Sequence, residues 1–186
     1  MNSTTLHKTI SPTFSKLESR LIELFESLKD QPDHVLNKKP AEGKWSILQI
    51  MYHLILVEEA SIAYCKKKLS FNPEIKKGGI MTKLRMFALS SYVVMPIKAK
   101  APGMVNEDHM PEEMRFWEVV KKWKDIRKEA KDFLSSLPAD MMKKEVYKHP
   151  VAGRLTLVQM INFWEGHFNR HRRQIKKIMD KEGYVS

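Results

Sequence analysis

The sequence predicts an all-α protein of one domain, residues 1–186, folded as a four-helix bundle that runs up-down-down-up. Four segments carry apolar residues at intervals of three and four, which is typical of helices with one buried face. The second and third of these segments are joined by about 40 residues, far more than most links between neighbouring helices. A crossover of that length can return the chain to its starting end, so we expect the second and third helices to run parallel.

The first two predicted helices begin at recognisable caps. Ser11 and Pro12 suit the N-cap and the first helical position, and the apolar stripe continues over 12–30. A polar loop containing two prolines follows, and Ser46 then starts the second helix, predicted at 46–69. Both segments therefore have a defined start and one apolar face.

The helical pattern breaks down over 71–111, where we expect only one short apolar helix, at 81–94. The third long helix is predicted at 112–137, and Pro138 stops it. The fourth is predicted at 156–180 and opens with a capping box. A connection as long as the one after the second helix usually has a function of its own, and we expect it to determine the substrate.

Composition restricts the compartment. Hydrophobic residues make up 42% of the chain and charged residues 30%, which is typical of a folded, water-soluble domain. The single cysteine, Cys65, excludes an intramolecular disulfide and suits a reducing compartment. The N-terminus has no apolar signal segment, and the least polar window, 80–97, contains Lys83 and Arg85. We therefore expect a cytoplasmic protein with no membrane partner.

The formal net charge of +11 raises the question of a nucleic-acid partner. The lysines are scattered, however, and most lie on the polar sides of the predicted helices. Even the densest basic run, 170–177, is interrupted by uncharged residues. No recognition helix or RNA-binding motif accompanies the charge, so we expect a solvated basic surface and no specific nucleic-acid binding.

The strongest chemical signal lies in the run 165–171, in the middle of the predicted fourth helix. His167 and His171 are four residues apart, so on a helix they lie one turn apart on the same face and can share one metal ion. Both fall within or beside the apolar stripe. Buried histidines can instead only hydrogen-bond within a core, and the spacing alone is compatible with either role.

A third histidine, His53, lies midway along the predicted second helix. It comes three residues after Ile50 and four before Val57, so it also faces the interior of the bundle. Three interior histidines on two helices can form a metal site that keeps open coordination positions. Catalytic sites keep such positions, whereas structural sites are closed by a fourth protein ligand.

Few other polar side chains are placed to share this site. Glu58, Glu59 and Glu165 lie at the wrong helical angles to face the histidines. Gln49 and Gln174 each lie one helical turn from a histidine, where they can either orient a ligand or simply face solvent. We leave catalytic residues other than the metal ligands unassigned.

Two sequence runs carry a family resemblance. The run 44–54, in which Trp-Ser precedes His53, resembles the second-helix signature of the DinB/YfiT-like superfamily. The run 149–156, together with the two histidines that follow it, resembles the last-helix signature of the same superfamily. The two runs have the expected order and separation, and the resemblance covers most of the chain except 71–111.

The resemblance implies a bundle in which His53, His167 and His171 hold a divalent metal ion, often nickel, zinc, iron or manganese. It further implies an enzyme that activates water or a thiol against a small molecule, as a hydrolase or a thiol transferase. A non-catalytic stress-response or binding protein is the alternative. A small-molecule partner is implied, with a low-molecular-weight thiol as one candidate, and the resemblance is compatible with a homodimer.

Overall fold

The structure, a computed structural model, describes residues 5–94 and 110–182. The four long helices fall where the apolar stripes predict them, although the third begins at position 116 rather than 112. A 3₁₀ helix and a short β-hairpin lie between the last two helices. The elements are α1 (Ser11–Leu28), α2 (Asp33–Asn37), α3 (Ile47–Ser70), α4 (Ile80–Val94), α5 (Phe116–Ser136), the 3₁₀ helix Ala139–Lys143, β1 (Tyr147–His149), β2 (Gly153–Leu155) and α6 (Leu157–Glu182).

Contacts between α3 and α5 show that these two helices run parallel. Near the start of both helices, Lys122 Nζ lies 5.2 Å from the centre of the Tyr52 ring. Further along both helices, Lys66 Nζ lies 2.6 Å from Glu129 Oε1. Because the contacts advance in the same direction along both helices, the predicted parallel arrangement is confirmed.

Helix α3 runs antiparallel to α6. The ring centres of His53 and His171 are 5.1 Å apart, which pairs the first half of α3 with the second half of α6. At the other end, Cys65 Sγ lies 3.8 Å from Met160 Sδ, near the start of α6. The contact positions therefore move in opposite directions along the two helices.

Helix α1 runs parallel to α6. Lys16 Nζ lies 2.6 Å from Glu165 Oε1, and farther along both helices Arg172 Nη1 lies 3.0 Å from Glu23 Oε2. The first and last helices therefore share one direction, and α3 and α5 share the opposite one. The predicted all-α, up-down-down-up bundle is confirmed.

Two capping boxes fix where the helices of the candidate site begin. At the start of α3, Ser46 Oγ accepts the backbone N–H of Gln49, and Gln49 Oε1 accepts that of Ser46. At the start of α6, Thr156 and Gln159 make the same reciprocal pair. Each box satisfies two otherwise unpaired N–H groups, so both helices start at a defined residue.

The connection after α3 contains the short helix that the sequence predicts at 81–94, observed as α4. Helix α4 lies against α6 and the hairpin, and Gln159 Nε2 donates a 2.8 Å hydrogen bond to the Thr82 carbonyl. The hairpin turns through Gly153, whose φ of +76° is a conformation that favours glycine. Residues 95–109 of the connection lie outside the described residues.

By length and composition alone, α3 is the one helix in the described ranges that could cross a membrane. However, 61% of its apolar window is buried inside the bundle. It contacts both α5 and α6. Its hydropathy is therefore that of the central helix of a protein core.

A buried ion pair joins three of the helices. Arg127 on α5 and Glu58 on α3 are each only 2% exposed, and Arg127 Nη2 donates to Glu58 Oε1 at 2.7 Å. Glu58 also accepts from Trp123 Nε1 at 3.2 Å, and Arg127 donates to Glu18 of α1 at 2.8 Å. Every charged group of the network therefore has a partner, which burial of charge requires.

Replacing Glu58 by alanine should lower the free energy of unfolding by about 3–5 kcal/mol, because the Arg127 charge is left buried without its main partner. The double variant Glu58→Leu/Arg127→Met should be far closer to wild type, since both charges are then removed. Urea unfolding followed by circular dichroism measures both.

The control is Glu129→Ala, which breaks a half-exposed pair with Lys66 and should cost less than about 1 kcal/mol. Equal destabilisation by Glu58→Ala and Glu129→Ala would contradict the central role given to the buried pair.

Candidate metal centre

Three imidazole rings meet where α3 crosses α6. His167 Nε2 lies 3.4 Å from His53 Nε2 and 3.1 Å from His171 Nε2. The nitrogen atoms that the three rings offer all lie within 4.8 Å of one another. The structure thus brings together all three histidines that the sequence proposes as ligands.

These distances match the requirements of a first-row metal ion. Four ligands arranged tetrahedrally at zinc–nitrogen distances of 2.0–2.1 Å are about 3.3 Å from one another. The two Nε2 separations from His167, 3.1 and 3.4 Å, bracket that value. No large rearrangement of either helix is therefore needed for the three nitrogens to share one ion.

The proton on His171 is directed away from the cluster. Its Nδ1 lies 3.0 Å from Gln174 Oε1, and an amide oxygen can only accept, so Nδ1 donates. In the neutral ring, Nε2 then keeps its lone pair directed toward His167. Of the two roles considered for Gln174, orienting the histidine is the one that the structure shows.

Gln49 has a different role from either that the sequence suggested. Its side chain is 5% exposed, so it does not face solvent. Its amide oxygen accepts the N–H of Ser46 at the start of α3, one turn before His53. It therefore fixes the start of the helix that carries the histidine and does not orient the ring itself.

The environment keeps the rings of α6 neutral. Burial lowers the pKa of His171 to about 3, with a further contribution from His53. The pKa of His167 is held well below its usual range, first by burial and then by the neighbouring histidines. Only neutral imidazole can bind a metal ion, so the lowered pKa values favour ligation down to acidic pH.

Aromatic side chains fix the orientation of two of the rings. Trp45 lies against His53 with 4.8 Å between ring centres, and Phe163 stacks on His167 at 5.2 Å and 18°. His53 and His171 are 5% and 7% exposed, whereas His167 is only half-buried. Among the described residues, the cluster therefore reaches solvent on the His167 side.

His149 lies near the cluster but does not join it. Its Nδ1 accepts the backbone N–H groups of Val151 and Ala152, both at 3.1 Å, so the proton of the neutral ring is on Nε2. The ring packs edge-on against Phe163 at 4.5 Å, and burial lowers its pKa to about 4. The sequence did not predict this contact between His149 and Phe163.

Other reactive groups are directed elsewhere. Lysine or arginine side chains pair with Glu165, Glu58 and Glu59. These pairs agree with the predicted helical angles, which direct the three carboxylates away from the histidines. Burial raises the pKa of Cys65 to about 12, so its thiol is not a nucleophile near neutral pH. Within the described part of the chain, the three-histidine cluster contains neither a carboxylate nor a thiolate.

The metal-free protein should lose stability below pH 6.5, the ordinary pKa of histidine. Above that pH the rings are neutral in both states and contribute nothing. Below that pH the histidines take up protons in the unfolded protein but stay neutral in the folded protein. This difference lowers the free energy of unfolding by about 2 kcal/mol per ring at pH 5. The loss stops near pH 3–4, where the folded rings of His149 and His171 protonate.

Urea midpoints at pH 7.5 and pH 5 test this in two variants. His149→Asn keeps a hydrogen-bond acceptor for the hairpin but has no titrating ring. Its free energy of unfolding should therefore fall less between pH 7.5 and pH 5, by about the contribution of one ring. His34→Ala, at an exposed position on α2, should recover none. Equal pH dependence in all three proteins would show that burial of these rings does not control acid stability.

Comparison with known proteins shows the fold and the family of the chain. YuaE of Bacillus subtilis (strain 168), an uncharacterised protein, is 26% identical over 164 residues, covering 88% of this chain and 94% of YuaE. YfiT of the same species, described as a probable metal-dependent hydrolase with an unusual four-helix bundle topology, superposes with a TM-score of 0.61 at 13% identity. That match covers 97% of this chain and 92% of YfiT. The family model of the DinB superfamily matches residues 13–175, and the chain belongs to that superfamily.

Proposed function

We propose that the protein is a metal-dependent enzyme in which His53, His167 and His171 hold one divalent ion and present water or a thiol to a small electrophile. The observation that carries the proposal is the convergence of three Nε2 atoms at metal-ligand separations, with one side of the cluster reaching solvent. The bundle shared with YfiT supports it at the level of fold. Imidazole ligands suit zinc, nickel and iron, and manganese is a fourth candidate.

Charge explains why such a site can act without a strong base. Three neutral imidazoles leave the +2 charge of a bound ion uncompensated, and an ion held in this way acidifies water, to a pKa near 7 in the case of zinc. Gln174 holds His171 in the tautomer that can bind. Trp45 and Phe163 restrict the other two rings, so the chain itself supplies orientation and partial exclusion of water.

The nucleophile must come from outside the chain. Cys65 has a buried thiol with a raised pKa and lies against Met160, so it cannot serve in a thiol transfer. Water would make the protein a hydrolase, and a low-molecular-weight thiol would make it a thiol transferase. The lack of a carboxylate beside the three histidines in the described residues favours, as a second candidate, a binding protein that keeps the metal without turnover.

Metal content tests the ligand set directly. His171→Ala should remove bound divalent metal while the protein stays folded, because the apolar faces of the helices, not the ion, provide the core. Gln174→Ala should weaken metal binding about 10–100-fold, since it frees the ring that it orients. Elemental analysis after dialysis, with circular dichroism as the folding check, measures both variants. His34→Ala is the matched control and should retain the metal, and equal metal content in His171→Ala and wild type would rule out the ligand set.

Turnover by the metal-loaded protein separates the enzymatic candidates from the binding protein. We expect release of nitrophenol from 4-nitrophenyl esters if water is the nucleophile. Consumption of chlorodinitrobenzene with an added small thiol is expected if the protein is a thiol transferase. Either rate should fall at least about 100-fold in His171→Ala, since the ion acidifies the nucleophile. Metal binding with neither rate above the His171→Ala background would favour the binding protein.

A further inference from the structure

Helix α4 presents an apolar stripe to solvent. Ile80, Leu84 and Phe87 are 78%, 57% and 73% exposed, and their spacing of four and three residues places them on one face of the helix. The opposite face is buried, with Thr82 at 1% and Leu89 at 3% exposure. The helix is thus docked on the bundle by one side and apolar on the other.

The exposed large apolar side chains are concentrated on α4. Of the eight large apolar side chains that are mostly exposed in the described residues, four lie on α4: Ile80, Met81, Leu84 and Phe87. A fifth, Val151, lies at the turn of the hairpin and is 70% exposed. The hairpin contacts α4, where Arg85 Nη1 donates to the Arg154 carbonyl at 3.4 Å. Clustered exposed apolar side chains of this kind mark an interaction surface.

Along the chain segment that carries the stripe, every charged residue is basic. Between positions 75 and 94 the sequence has four basic residues and no acidic one. The hairpin adds two more exposed basic residues, which pair across its strands. These six residues are Lys76, Lys77, Lys83, Arg85, Lys148 and Arg154. None of them forms an ion pair with another described residue, so their charge remains available to an anionic partner.

We propose that α4 and the turn of the hairpin form a peripheral docking surface for an anionic lipid bilayer. A helix that lies flat on a membrane inserts its apolar side chains at the headgroup boundary and contacts anionic headgroups through flanking lysines and arginines. The stripe 80–87 and the six basic residues on α4, on the segment before it and on the hairpin have both features. A second copy of this chain fits less well, because two such faces would bring twelve like charges together with no acid on α4 to offset them.

Docking of this kind differs from crossing the membrane. Helix α4 has 15 residues, fewer than the roughly 20 that span a bilayer, so it can only lie at the surface. The proposal departs from the expectation of no membrane partner in this respect alone. Helix α4 packs on α6, which carries His167 and His171. Docking would therefore leave only α4 between α6 and the lipid.

Vesicle co-sedimentation of the full chain tests the surface. Wild type should bind vesicles rich in phosphatidylglycerol, bind phosphatidylcholine vesicles far more weakly, and lose binding as salt rises. Leu84→Glu should lower the apparent affinity at least about tenfold, because it places a charge in the inserting stripe. The matched control is Ile22→Glu on α1, the same change in net charge at a residue 58% exposed against 57% for Leu84, and it should bind like wild type.

Three results would overturn the proposal. They are equal loss of binding in Leu84→Glu and Ile22→Glu, equal binding to anionic and neutral vesicles, and no binding to either. If the third result came with a dimer in sedimentation velocity that Leu84→Glu dissociates, the surface would be an interface between copies of this chain. Circular dichroism checks the fold of both variants, and metal content, measured separately, keeps the outcome independent of the proposed enzymatic function.

Discussion

The fixed orientation of α3 about its own axis, which decides which face meets which neighbouring helix, is the constraint on which the rest of the structure depends. Glu58 comes five positions after His53, which places the two side chains about 140° apart around the helix. Glu58 faces α5, where the buried Arg127 holds it, and His53 faces α6 and its two histidines. One helix thus serves the ion pair and the metal centre with different faces, and the reciprocal cap at Ser46 fixes where it starts.

The same burial that prepares the histidines for a metal ion makes the metal-free protein sensitive to acid. Their lowered pKa values keep the lone pairs free, which favours ligation, but they also mean that every proton taken up below pH 6.5 favours the unfolded state. The ion pair between Glu58 and Arg127 lies on the other side of α3, and its charges neutralise each other. Stability and ligation are therefore supported by separate contacts on one helix.

Much of this arrangement follows from local sequence rules. The apolar stripes predict the four long helices, the length of the crossover predicts their directions, and interior positions on two helices bring His53 together with His167 and His171. The apolar stripes do not predict which group a polar side chain contacts. Gln49 stands three residues after Ser46, the same capping pattern as Thr156 and Gln159, and that spacing was the signal that assigns it to the cap. Ligation of a metal by the three rings stays a prediction, because convergence alone does not show an ion.

Helix α4 shows a different limit of sequence reasoning. The hydropathy of 80–97 argues against a membrane span, but that argument concerns only a helix that crosses the bilayer. Which face of α4 is buried depends on tertiary contacts, because Leu89 on one face and Leu84 on the other are equally apolar. Thr82 is buried and its carbonyl accepts from Gln159 of α6, so the Thr82 side of the helix lies against α6 and the Leu84 side faces outward. In the proposed docking surface the basic residues have a role that their number alone does not indicate, because Lys83 and Arg85 lie on the same helix as the apolar stripe.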